Sequence, residues 1–204
     1  MIKKQVYTDL EEIEGSDSTI NMADYYFFRN AFTDEEIERI KKIAIKYPAT
    51  EAATGQEASS KQKDSVRKST VRWLYDDIGE LDWVYERLFN MTNEANDHLW
   101  NFNLSHAGEV LQYTEYPENG GHYDWHIDCG HNMQAQRKIS ITVQLNDDYD
   151  GGELELWRGQ SPATAHKEKG TVVIFPSYML HRVAPVTNGV RNSLVLWIGG
   201  DHYR

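Results

Sequence analysis

The chain has 204 residues, a net charge of −11, 40% hydrophobic residues and a single cysteine, Cys129. That length suits one domain around one core. The charge disfavours a nucleic-acid partner, the lone cysteine excludes an internal disulfide, and no apolar run approaches the roughly 18 residues of a membrane helix. The Met1–Val6 start lacks the apolar core of an export signal, so a cytoplasmic protein without a membrane partner is expected.

Thr33-Asp34-Glu35-Glu36 forms a capping box, with a hydroxyl for the free N–H groups and a Glu three residues on. It predicts a helix to about Tyr47 with Ile37, Ile40 and Ile43 on one face. Residues 49–66 hold almost no large apolar side chain and read as a mobile loop. Arg67 to Tyr75 reads as a strand, and Leu81, Val84, Leu88, Met91, Ala95 and Leu99 recur at the spacing of a second helix.

From Gly108 the pattern changes to short runs of period two, separated by turns such as Pro117–Gly121 and Asp147–Gly152. About eight strands fit between Gly108 and Ile198. The expected fold is mainly β with flanking helices (α+β): a double-stranded β-helix, or jelly roll, with the N-terminal helices packed on its major sheet. Residues 1–204 are read as one domain, with 1–107 supporting and 108–198 forming the core. The acidic Asp147–Asp150 segment lacks a full calcium-ligand register and reads as a solvated hairpin turn. Trp157 and Tyr178 are read as core in preference to cleft.

Residues two apart on a strand share a face, so the side chains of His126 and Asp128 converge without bending the chain. His181 follows the apolar run Thr171–Pro176 and precedes Arg182-Val183-Ala184-Pro185, on a late strand that a jelly roll brings beside the early one. Two histidines and one carboxylate on one side of an ion form the arrangement typical of non-haem iron(II), with positions left open. Spacing alone does not choose the pair, because His122 and Asp124 offer the same motif on nominally the same face. Ten residues beyond His181, Arg191 opens a strand, and a guanidinium beside a cavity needs an anion such as a carboxylate.

Together these residues resemble the prolyl hydroxylase branch of the 2-oxoglutarate oxygenases, over roughly Arg67 to Trp197. The strongest string is Tyr116-Pro117-Glu118-Asn119-Gly120-Gly121-His122-Tyr123-Asp124-Trp125-His126-Ile127-Asp128. The resemblance selects His126 and Asp128 over the neighbouring pair and implies Fe(II) at His126, Asp128 and His181. It also implies 2-oxoglutarate held by Arg191, O2 as oxidant and ascorbate as activator. By the same likeness Tyr116, Thr142 and Gln144 are polar contacts of the cosubstrate, and Leu154, Phe175, Val183 and Val195 wall its pocket. Gln144 departs from the animal hypoxia sensors, which carry tyrosine there.

On the substrate side Arg67, Trp73, Arg137 and Trp197 resemble positions that receive a peptide, and residues 49–66 would be a lid. The implied reaction is hydroxylation of a peptidyl proline at C4, with release of succinate and carbon dioxide. Two rivals stand beside it. A same-fold oxygenase could act on another residue, a small molecule or a nucleobase. Nucleobase-acting relatives, however, carry arginine where Trp197 stands. The other rival is a non-catalytic jelly-roll binding module.

Overall fold

A computed structural model describes residues 25–52, 65–157 and 159–202. In chain order its strands are β1 (Tyr26–Phe28), β2 (Thr50–Glu51), β3 (Arg67–Lys68), β4 (Thr70–Trp73), β5 (Leu104–Ala107), β6 (Gln112–Tyr116) and β7 (His122–His126). They continue with β8 (Arg137–Gln144), β9 (Asp150–Gly151), β10 (Leu154–Trp157), β11 (Pro162–Thr164), β12 (Val172–Pro176), β13 (His181–Val183), β14 (Val186–Asn188) and β15 (Arg191–Gly200). Helix α1 (Asp34–Ala44) follows β1, and α2 (Asp82–Leu99) follows β4.

The large sheet runs β1-β12-β8-β15-β6-β4-β2, with β5 also on β15, and the small sheet runs β11-β10-β13-β7-β3. Strands β14 and β9 form a separate pair. All these pairings are antiparallel, as a jelly roll requires. Strand β8 is buried along its whole length because both of its faces are covered. Its β-branched Ile139, Ile141 and Val143 meet the helices on one face, with Val172, Ile174, Leu194, Leu196, Ile37, Ile40 and Leu88 in one cluster. The opposite face turns Ser140, Thr142 and Gln144 toward the small sheet.

The capping box forms as expected: Glu36 N–H donates to Thr33 Oγ1 at 3.3 Å and Thr33 N–H to Glu36 Oε2 at 2.9 Å. Arg87 of α2 then grips both Glu36 oxygens at 2.7 Å, tying the helices together. Helix α1 stops at Ala44 and not at Tyr47. Pro48 disfavours helical geometry at the residue before it, and Lys46 and Tyr47 N–H close tight turns onto Ile43 and Ala44. Helix α2 has no side-chain cap of its own at Leu81, but Asp76 Oδ2 accepts the Leu81 N–H at 2.5 Å.

The expected strand from Arg67 to Tyr75 divides in two. Strand β3 pairs with β7 in the small sheet, whereas β4 pairs with β6 in the large one. Buried Ser69 makes the crossing, its hydroxyl accepting from Arg67 Nε at 2.8 Å. Strands β1 and β5 were not foreseen. Trp157 and Tyr178 are 41% and 43% exposed, so they do not belong to the core. On β10 the inward residues are Leu154 and Leu156, which leaves Trp157 facing out. In the Asp147–Asp150 turn, Asp147, Asp148 and Asp150 accept from Lys169 N–H, Asn146 and Asn188, the work of a hairpin. Most of the expected lid, residues 53–64, lies outside the described residues. No helix among the described residues is long and apolar enough to cross a membrane.

Candidate metal centre

Strands β7 and β13 pair His126 with His181 but Tyr123 with Val183, so β7 carries one extra residue across that interval. A bulge of this kind reverses side-chain parity. It brings Tyr123 and His126 to the same inward face, where their rings stack at 3.5 Å between centroids. The His122 ring nitrogens instead face the carbonyls of Gly120 (2.7 Å) and Ser65 (3.3 Å). The four alternating residues therefore do not share one face.

The donor atoms of His126, Asp128 and His181 lie within 4.8 Å of one another. His126 Nε2 stands 3.6 Å from Asp128 Oδ1, and His181 Nε2 stands 3.5 Å from Asp128 Oδ2. Each ring turns Nδ1 to a backbone carbonyl, Asp124 O at 2.7 Å and Met179 O at 2.8 Å. Donation from Nδ1–H fixes the tautomer with its lone pair on Nε2. The Ser140 hydroxyl donates to Asp128 Oδ2 at 2.7 Å and lies 2.9 Å from Ser177 Oγ. Backbone bonds hold the same residue from both sides: Asp128 N–H to Ser177 O at 2.8 Å, and Arg137 Nη1 to Asp128 O at 3.1 Å.

Burial alone would raise the Asp128 carboxyl, but the His181 and His126 rings and the Ser140 hydroxyl hold it well below the usual carboxylate range. Burial lowers His181 below the ordinary imidazole value, against the pull of Asp128. Two imidazoles and one carboxylate with their donor atoms this close together form a donor set that fits iron(II).

Arg191 is 1% exposed and donates through Nη2 to Gln144 Oε1 (3.0 Å) and through Nη1 to Ser193 Oγ (3.3 Å). Its Nε has no partner, and no carboxylate pairs with it among the described residues. A buried cation without a counter-ion is costly, and a dicarboxylate cosubstrate would supply one. Gly152 keeps the space open, since a Cβ there would meet Arg191 Cδ at 3.2 Å and Val186 Cγ2 at 2.9 Å.

One cavity between the sheets is lined by the three metal-site residues, Arg191, Tyr116, Thr142, Leu154, Phe175, Val183, Val195, Trp197 and Arg67. Gln144 reaches it only through Arg191. Trp73 packs on Trp197 with centroids 6.2 Å apart and lines the neighbouring groove. Arg137, expected on the substrate side, is 7% exposed, stacked 3.9 Å over the Trp197 ring and paired with Glu109. Sequence reading did not assign Tyr123, Gln112, Ser193, or the Ser140–Ser177 pair behind Asp128. Strand parity points to Ser193. Tyr123 depends on the bulge, which leaves no mark in residue spacing.

The two-sheet architecture, with this cluster between the sheets, is a jelly roll. Residues 111–199 match the family model described as the 2OG-Fe(II) oxygenase superfamily, a segment that holds His126, Asp128, His181 and Arg191. A PKHD-type hydroxylase from Synechococcus sp. (strain CC9311) is 37% identical over 83 residues, covering 40% of this chain and 38% of that protein. The chain thus spans about two-fifths of the length of the Synechococcus relatives it matches. In fold it is similar to a Trichoplax adhaerens prolyl hydroxylase in complex with a hypoxia inducible factor peptide fragment (TM-score 0.72, 16% identity, 87% of this chain and 84% of that one). A Pseudomonas putida prolyl-4-hydroxylase gives a TM-score of 0.66 at 19% identity, over 86% of this chain and 92% of that one.

Proposed function

We propose that the chain is an iron(II)- and 2-oxoglutarate-dependent dioxygenase that hydroxylates C4 of a proline in a peptide or protein, in the cytoplasm, with succinate and carbon dioxide as co-products. The observation that carries this reading is the conjunction, in one cavity, of the His126–Asp128–His181 cluster and buried Arg191, which has no counter-ion among the described residues. His126, Asp128 and His181 would hold the iron, which supplies the oxygen activation and C–H oxidation that no side chain here provides.

The remaining work belongs to the chain. Arg191 binds the distal carboxylate of 2-oxoglutarate, with Tyr116 and Thr142 as neighbouring donors and Gln144 holding the guanidinium. Leu154, Phe175, Val183 and Val195 exclude water from the pocket. Ser140 keeps Asp128 oriented. Arg67, Trp73 and Trp197 stand where a peptide would enter, and Arg137 supports Trp197 from behind. The relatives, a PKHD-type hydroxylase and two prolyl hydroxylases, favour proline as target.

The test is mass spectrometry on proline-containing peptides and host-cell fractions incubated with protein, iron(II), 2-oxoglutarate and ascorbate, omitting each in turn. One oxygen gained on proline, dependent on iron and 2-oxoglutarate, is the expected result. Succinate without modified proline would keep the oxygenase and replace the substrate. No succinate under any condition would favour a binding module.

A further inference from the structure

Beside the metal cavity lies a second, open groove of about 370 Å³ lined by Trp73, Tyr75, Gly108, Glu109 and Val110. The two are adjoining, because Trp73 in the groove wall packs against Trp197 in the cavity wall. A chain leaving the cavity past Trp197 would cross Trp73 and meet Tyr75, which is 62% exposed. Two aromatic rings beside a path for a peptide are a platform for a cation or an apolar side chain. The charge around the groove decides between them.

Between Trp73 and Gln136 the only Lys or Arg is Arg87, while the same stretch holds Asp76, Asp77, Glu80, Asp82 and Glu109. Among the described residues the nearby cations are already paired, Arg87 with Glu36, Lys46 with Glu80, Arg72 with Glu115 and Arg137 with Glu109. Asp77 sits exposed in the turn after Tyr75, and no cation pairs with it or with Asp76 among the described residues. Glu109 gives only Oε1 to Arg137. The negative potential at this end is felt by Tyr47, whose hydroxyl donates to Tyr75 O at 3.0 Å. Burial raises that phenol, and the carboxylates of Asp76, Glu80 and Asp77 raise it further.

We propose that this groove selects a lysine or arginine side chain flanking the target residue, seated on Trp73 and Tyr75 and attracted by Glu109 in the groove wall and by exposed Asp77 two residues beyond Tyr75. The inference rests on the peptide-oxygenase reading and narrows it to basic sequences. It also gives the acidic net charge a use, since such a surface draws cationic segments at low ionic strength.

The test uses fluorescently labelled proline peptides that differ only in lysine, alanine or glutamate at positions on either side of the proline. Binding is followed by anisotropy without turnover. A second set replaces the proline with alanine, so that the charge preference is measured even if no proline is ever hydroxylated. At about 0.02 M salt the lysine peptides should bind about three- to tenfold tighter than alanine ones, from one exposed charge contact and one cation–π contact. The advantage should fade by about 0.5 M salt.

Asp77→Lys and Tyr75→Ala, both at exposed positions, should each erode the preference, while succinate formation without peptide stays at the wild-type level. Equal affinity for lysine and glutamate peptides would overturn the proposal. A lysine preference untouched by both substitutions would overturn it too. Loss of proline hydroxylation with the preference intact would instead refute the proline assignment.

Discussion

The two faces of the large sheet bury their residues almost equally, yet they are built from opposite chemistry. On β8 and β15, Ile139, Ile141, Val143, Leu194 and Leu196 meet the helices and are fully buried. Their neighbours Ser140, Thr142, Gln144, Arg191 and Ser193 are 7% exposed or less, but they face the small sheet, where Ser140 bonds Asp128 and Arg191 bonds Gln144 and Ser193. Burial alone therefore does not distinguish core from site. The outer face is closed by packing that a folded chain needs. The inner face holds polar groups, one of them a cation with no counter-ion among the described residues, whose unpaired Nε is a place for a ligand to bond.

Substitutions on the two faces should break in opposite ways. The largest effect is expected at Asp128, which holds contacts to both histidines. Asp128→Ala should abolish 2-oxoglutarate turnover, measured as succinate release. On the outer face, Ile141→Ala should cost about 2–5 kcal/mol of stability through the cavity it leaves. A thermal melt should register this as a drop of about 5–15 °C at this chain length, with the 2-oxoglutarate requirement unchanged.

Arg191→Ala reverses that pattern. Loss of a charge-assisted contact, worth about 1.5–3 kcal/mol, should raise the 2-oxoglutarate requirement roughly ten- to more than a hundredfold, without destabilising the fold. Titration of 2-oxoglutarate into wild type and variant checks it, and an unchanged requirement would remove Arg191 from the pocket. Ser140→Ala should have the smallest effect, weakening metal binding about tenfold by freeing Asp128 Oδ2. Calorimetric titration with iron(II) or manganese(II) reads that change directly.

The sequence exposes what repeats locally. The capping box at Thr33 and Glu36, the apolar stripe of α2, and the alternation along β8 each follow from residues a few positions apart, and each appears in the fold. Arg191, Ser193, Val195 and Trp197 line one cavity because a regular strand keeps its parity. What escapes is whatever depends on partners distant in sequence. The division of residues 67–73 between two sheets depends on Ser69 and on where β6 and β7 lie. The Ser140–Ser177 bridge joins β8 to the turn after β12, 37 residues further on. Arg137 reads as a substrate contact from its motif, but Glu109 and Trp197 capture it. The bulge in β7 is the most consequential of these features, since it separates His126 from His122 where spacing treats them alike.

The stoichiometry of bound iron therefore tests the account most directly, measured under anaerobic conditions on wild type, His122→Ala and His126→Ala at matched folded content. One iron per chain in wild type and His122→Ala, with none retained by His126→Ala, is the predicted result. Iron retained by His126→Ala, or lost equally from His122→Ala, would contradict the placement of the metal centre.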